Sequence, residues 1–319
     1  MLRLASASLL LALAAALRAQ DATAAPQHAA AAAPAPQPAV ADDSAQKAAQ
    51  ALDLAARFQR GATPRAAPAS LHGRFHVSAR DDKGNLVKAE VERWYRRAPE
   101  AMLTTRKELV SGLSTSVVSN GGVVWLRDDG DGSIHVYSDN PAVYEVDLEL
   151  QREHLRLTRM LLDACVLDAL RSRLVSPHVT GHDRVEDPDG GEHQIVLVEA
   201  MAPDELFGPA PGAPPLPPGS ALPPIELRLG IDEQDGALRS LRVRAPHRPD
   251  LSPMLLVFAF HGRTESGLNV PANIKLFREG EPVEALSLAI EEDEAGHLLF
   301  DVDVPVDDAL FARPAPAAK

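Results

Sequence analysis

Cysteine occurs once in the 319 residues, at Cys165. A lone thiol excludes an internal disulfide and any multi-cysteine metal site, so an ordinary core has to hold the fold. Aromatic residues make up only 4% of the chain. That excludes a stacking platform for bases or sugars and predicts a core of leucine, valine and alanine. Basic residues are outnumbered, with 32 Lys and Arg against 45 Asp and Glu and a formal net charge of -13. Nucleic acid wants a basic face, so it is excluded as a partner. Nothing in the chain reaches the roughly 20 consecutive apolar residues that span lipid, which argues against an integral membrane protein.

What is present begins with a leader pattern. Met1-Leu2-Arg3 is a short basic start, Leu4 to Leu17 is apolar, and Leu17-Arg18-Ala19 is a small-residue cleavage pattern. Residues 1–19 read as a signal peptide, with cleavage after Ala19 or after Ala25, and predict a periplasmic or secreted protein. Residues 20–44 are mostly alanine and proline and read as a disordered tether. A folded domain is expected over 45–311, with a Pro-rich insertion at 208–224 and a disordered tail at 312–319.

Ala45 to Phe58 is a predicted helix, because Ala48, Leu52, Ala55 and Ala56 share a face, with Asp42, Asp43 and Ser44 offering caps. From Leu71 the period becomes two. His72, Arg74, His76 and Ser78 alternate with Gly73, Phe75, Val77 and Ala79, and a turn at 81–85 leads to the alternation of 86–95. Further strands are predicted over 101–110, 115–119, 123–127, 134–138, 193–199, 225–231, 238–244, 255–262, 273–278, 285–291 and 297–302, the last two as a pair. Their short, Asp- and Gly-rich connections make them antiparallel hairpins. Glu149 to Leu174 reads as one long helix, apolar nearly all round from Met160 to Leu167, so it has to be enclosed. The expected fold class is α+β: a large curved antiparallel sheet, a half-open incomplete β-barrel, wrapped around a central helix, with a short N-terminal helix. Two domains split at the helix are the alternative.

No constellation points to catalysis. Gly112-Leu113-Ser114-Thr115 lacks the second glycine of a nucleophile elbow. Asp129, Asp131 and Ser133 have the spacing that opens a calcium loop, but Asn140 stands where a closing glutamate is needed. His72 and His76, four apart on a strand, are separated by about 13 Å, too far to share an ion. His178 and His182 are broken off any helix by Pro177 and Gly181. No metal and no cofactor is expected, Trp94 and Trp125 read as packing residues, and Cys165 reads as a buried thiol.

Several segments carry a family resemblance. They are Arg93-Trp94-Tyr95-Arg96 before the strand from Met102, the strand pair around the acidic turn after Ile231, and Phe258-Ala259-Phe260 through Gly267-Leu268-Asn269-Val270-Pro271-Ala272-Asn273-Ile274. In this order they resemble the periplasmic lipoprotein-carrier and outer-membrane lipoprotein-receptor superfamily. The resemblance covers about residues 45–311. It implies an apolar half-barrel with a helical lid that shields acyl chains, a non-enzymatic role, and a lipid, an acylated protein or another envelope protein as partner. The central helix is then the analogue of the lid. On it, Leu155, Leu161, Leu162 and Leu167 are the expected apolar contacts, and Arg152, Arg156 and Arg159 the candidate contacts to lid or headgroup. The chain departs from the family in its tether, its Pro-rich insertion and the absence of a lipid-modified cysteine. A non-catalytic structural or interaction module with a filled core is the alternative function.

Overall fold

The computed structural model describes residues 38–60, 66–80, 85–186, 190–203, 223–247, 253–278 and 286–313. The predicted signal peptide, the tether up to residue 37, the turn at 81–84, the insertion up to residue 222 and the tail from 314 lie outside the described residues.

The first helix, α1 (Pro38–Arg60), starts seven residues earlier than the Ala45 read from the pattern. Proline costs nothing in a first turn and alanine is the best helix former, so the end of the supposed tether joins the helix. Ala48, Leu52, Ala55 and Ala56 are buried together, as their spacing predicts. Ser44 does not cap the helix; its hydroxyl donates to the Val179 carbonyl at 2.8 Å.

Six strands follow: β1 (Ser70–Arg80), β2 (Leu86–Arg96), β3 (Ala101–Glu108), β4 (Ser114–Asn120), β5 (Val123–Asp128) and β6 (Ile134–Val136). Helices α2 (Glu145–Cys165) and α3 (Leu167–Arg171) come next. The chain then forms β7 (Val175–Glu186), β8 (Glu192–Ala202), β9 (Ile225–Asp232) and β10 (Leu238–Arg244). It ends in β11 (Met254–Arg263), β12 (Asn269–Arg278), β13 (Leu286–Ile290) and β14 (Phe300–Val302). Among the described residues these strands make one 14-stranded sheet in the order β6-β5-β4-β3-β2-β1-β13-β12-β11-β10-β9-β8-β7, with β14 also on β1. Every ladder between them is antiparallel. The end strands β6 and β7 do not meet, so the sheet is an open barrel rather than a closed one.

Three local expectations are corrected. The two last segments meet only next to their turn, where the Leu299 N–H donates to the Glu291 carbonyl at 2.8 Å and Glu292 bridges Leu298; beyond it both lie on β1, with Val77 opposite Leu288 of β13 and Leu71 opposite Val302 of β14. β1 has 11 residues and β13 only five, so one long strand offers an edge to both. Residues 175–186 form a strand that the alternation did not reveal. It is an edge strand with two register shifts and Ser176 at φ 52°, and an edge tolerates Pro177 because no ladder bond is lost there. The single long helix is two helices, broken at Val166 (φ -131°, ψ 74°). Gln59 of α1 bridges the break: its Nε2 donates to the Ala164 carbonyl at 2.6 Å and its Oε1 accepts from the Leu167 N–H at 2.8 Å.

The all-round apolarity of α2 follows from its place between two cores. Leu157, Met160, Leu161 and Ala164 pack with α1 and strands β8 to β12. Leu162 and Cys165 pack with Phe75, Tyr95, Met102 and Phe300 on the other side. Asp163, the one acid in that run, is buried and paired with Arg97 at 2.7 Å. Cys165 is fully buried, and burial pushes its thiol up to about 12.

Candidate functional site

A cavity of about 110 Å³ lies between the first half of α2 and the concave face of the sheet. Its floor comes from β1, β2 and β3 on one side and β11, β12 and β13 on the other; its roof is Leu150, His154, Leu157 and Leu161. The floor is aliphatic because each strand turns its alternate residues inward. In β2 these are Val87, Ala89 and Val91, and in β13 they are Leu286 and Leu288. No Phe, Tyr or Trp lines the cavity.

Four polar side chains interrupt this lining: Arg93, Thr104, Arg106 and His154. Arg93 stands opposite Thr104 in the β2–β3 ladder, and Arg106 opposite Val91, so the two guanidiniums are diagonal neighbours. Arg106 is bound by Glu108 at 2.7 Å. Arg93 has no carboxylate within ion-pair distance among the described residues. Its Nη1 donates to Thr158 Oγ1 of α2 at 2.9 Å, and its Nε donates to Thr104 Oγ1 at 3.4 Å. Burial lowers it to about 10, so it remains a cation at neutral pH. His154 is pushed down to about 3, first by burial and then by the charges of Arg93 and Arg106. It is therefore a neutral imidazole.

Outside the cavity, α2 is held by ion pairs near its second half. Arg159 pairs with Glu100, which also accepts from the Tyr95 hydroxyl at 3.1 Å. Toward the first half, Glu153 meets Arg278 at 3.8 Å, and burial raises its carboxyl. Gln151 is buried, with its Oε1 left without a hydrogen-bond partner.

Of the residues expected on the lid helix, Leu161 lines the cavity. Leu155 packs against the second core and Leu162 lies inside it, while Leu167 belongs to α3 and the first core. Arg152 is exposed and 3.2 Å from Glu149, and Arg156 is buried with Glu149 at 3.7 Å. Arg159 binds Glu100, so none of the three arginines lines the cavity. Sequence reasoning did not pick out Arg93, Arg106 or His154. The signal for Arg93 was there: it falls in the apolar phase of β2, two residues after Val91, where a charge breaks the pattern. The histidines weighed for metal binding are engaged elsewhere. His72 bonds Glu92 at 2.8 Å and stacks on Trp94, and His182 bonds Glu233.

The arrangement defines an antiparallel half-barrel with a helix laid across its concave face and an apolar cavity beneath that helix. No family model and no curated protein matches the chain. Among solved structures it is similar to a LolA superfamily protein from Nitrosomonas europaea, at 10% identity and a TM-score of 0.44, over 85% of this chain and 98% of that one. It is also similar to a DUF1329 family protein from Desulfovibrio piger, at 12% identity and a TM-score of 0.40, over 83% of this chain and 97% of that one.

Proposed function

We propose that this chain is an exported, non-catalytic carrier that takes up the acyl chain of a lipid or of an acylated protein beneath α2. The observation that carries the reading is the aliphatic cavity under a helix that is itself apolar on both sides. An acyl chain needs no catalytic group, only an apolar lining, and gains about 0.8 kcal/mol for each methylene removed from water. At about 110 Å³ the cavity is smaller than the roughly 300–1,000 Å³ of ordinary ligand pockets, so a full chain enters by lifting the first half of α2. Gln151 supports that motion. A buried amide oxygen without a partner costs about 1–3 kcal/mol, so this part of the helix is the less firmly seated one.

Export accords with the leader pattern, and no helix among the described residues is long and apolar enough to cross a membrane. The test is saturable binding of the uncharged fluorophore N-phenyl-1-naphthylamine to the purified chain, together with mass spectrometry of its organic extract. Binding near one probe per chain that is lost in Leu161→Glu, with the circular dichroism unchanged, is the expected result. Absence of saturable binding would return the chain to the alternative of a filled structural module.

A further inference from the structure

The cavity contains a charge that the protein does not neutralise. Around α2 other arginines have carboxylates: Arg97 has Asp163, Arg106 has Glu108 and Arg159 has Glu100. Arg93 has only two threonine hydroxyls. A half-buried guanidinium that faces an apolar cavity is costly without a counter-charge, and a fold free to choose would pair it or replace it with another aliphatic residue. Its Nη2 donors have no partner among the described residues. The imidazole of His154, on the opposite wall, has no hydrogen-bond partner among them either. Being neutral, it can offer a hydrogen bond without adding to the charge.

We propose that Arg93, with His154 facing the same cavity from the helix above, receives the carboxylate head of a single-chain amphiphile whose alkyl tail occupies the aliphatic remainder of the cavity. This rests on the carrier reading above and adds the head group to it. A carboxylate and a phosphate monoester share the required chemistry. The carboxylate is preferred because its two oxygens match one guanidinium edge, and because the space is small. The counter-charge is then supplied by the ligand, and the tail lies along Val91, Ala89 and Leu288.

The experiment is displacement of N-phenyl-1-naphthylamine from the full chain at pH 8. The competitors are dodecanoate, dodecanol, dodecyl phosphate and dodecyltrimethylammonium, all below their micellar concentrations. Dodecanoate is expected to displace the probe at a concentration about tenfold or more below dodecanol, and the cationic compound to be the weakest. Arg93→Gln is expected to abolish the preference for dodecanoate and leave dodecanol unchanged, whereas Arg74→Gln, at a half-exposed position on β1, leaves the preference intact. Equal displacement by dodecanoate and dodecanol from the unaltered chain overturns the head-group assignment and leaves the carrier reading standing. Tighter displacement by dodecyl phosphate overturns the choice of carboxylate. Failure of the probe and of every alkyl compound to bind overturns the carrier reading, and the assignment with it. If Arg93→Gln does not fold, the series on the unaltered chain decides the matter alone.

Discussion

Arg93 of β2 and Thr158 of α2 are joined by a 2.9 Å hydrogen bond from guanidinium Nη1 to hydroxyl Oγ1. The Thr158 hydroxyl in turn donates a hydrogen bond to the His154 carbonyl, one turn earlier, at 2.7 Å. The cation in the cavity wall is therefore tied to the helix that covers the cavity. Thr158→Val keeps the shape of the side chain and removes the acceptor. The expected outcome is a loss of about 1–2 kcal/mol in urea unfolding, since a bond to a charged donor is lost in a buried place. Amide hydrogen exchange of α2 should quicken with it. Unchanged exchange in α2 would mean that the bond does not hold the helix down.

A second tie is at the helix break. Gln59 both donates to Ala164 and accepts from Leu167, and its side chain is the link that satisfies two backbone groups left over where α2 ends. Gln59→Leu preserves bulk and strands both groups. About 2–4 kcal/mol should be lost in thermal or urea unfolding, from two buried unsatisfied groups. Gln59→Glu keeps the acceptor for Leu167, loses the donor to Ala164 and buries a carboxylate, so it should not rescue the fold. A Gln59→Leu chain as stable as the parent would show that the break is satisfied in some other way.

Gly236 ends the turn between β9 and β10 at φ +81°. A Cβ there would stand 2.9 Å from the Leu54 carbonyl oxygen of α1 and 2.7 Å from Leu54 Cγ. Gly236→Ala therefore adds a strained backbone to a clash with a helix main chain. Thermal unfolding should show a destabilisation of about 1–3 kcal/mol, and α1 should become more open to limited proteolysis. A Tm equal to that of the parent would place α1 further from the turn than the geometry does.

Most of the sheet was legible because half-buried strands alternate and acidic, glycine-containing turns separate them. Phe75, Val77 and Ala79 mark the inner face of β1 in the sequence as they do in the fold. The enclosed helix was legible too, because a helix apolar from Met160 to Leu167 has no side to give to water. The partner of β14 was hidden, since sequence neighbours pair by default and only the length of β1 lets it serve two strands. β7 was hidden because an edge strand is largely exposed and lacks the alternation that burial imposes. The cavity wall was the least legible part. A hydrophobic run does not distinguish Leu161, which roofs the cavity, from Leu162, one residue away and facing the second core. Arg93 entered the reading only as part of a segment that carried a resemblance.

Acid should weaken the fold through two half-buried histidines held in the neutral form. His154 lies at about 3 and His261 at about 4, each held down mainly by burial, against an ordinary value of 6.5. Below 6.5 the unfolded chain takes up these protons and the folded one does not. Stability is thus full above about pH 6.5 and falls as the pH drops toward 4 and then 3, by at most about 1.4 kcal/mol per pH unit for each histidine. Urea unfolding at pH 7.5 and pH 5 should show the fall, and His154→Gln should reduce its slope by the share of one proton. A flat profile over that range would mean that water reaches both imidazoles.

Leu161 and Leu162 are adjacent, and their substitutions should act through different properties. Leu161 roofs the cavity, whereas Leu162 is fully buried in the second core and has no contact with the cavity. Leu161→Phe places extra volume where space exists. It should leave the Tm within a few degrees of the parent while weakening N-phenyl-1-naphthylamine binding about tenfold or more, because the probe and the ring compete for the same space. Leu162→Ala removes volume where none is spare, and should cost about 2–5 kcal/mol while leaving the affinity of the chains that remain folded close to that of the parent. Both quantities can be read from one set of samples, by titration at low temperature and by thermal unfolding. If Leu162→Ala were the one to lose the probe and Leu161→Phe the one to lose stability, the binding space would lie on the other side of α2, between the helix and the strands around Phe75 and Phe300.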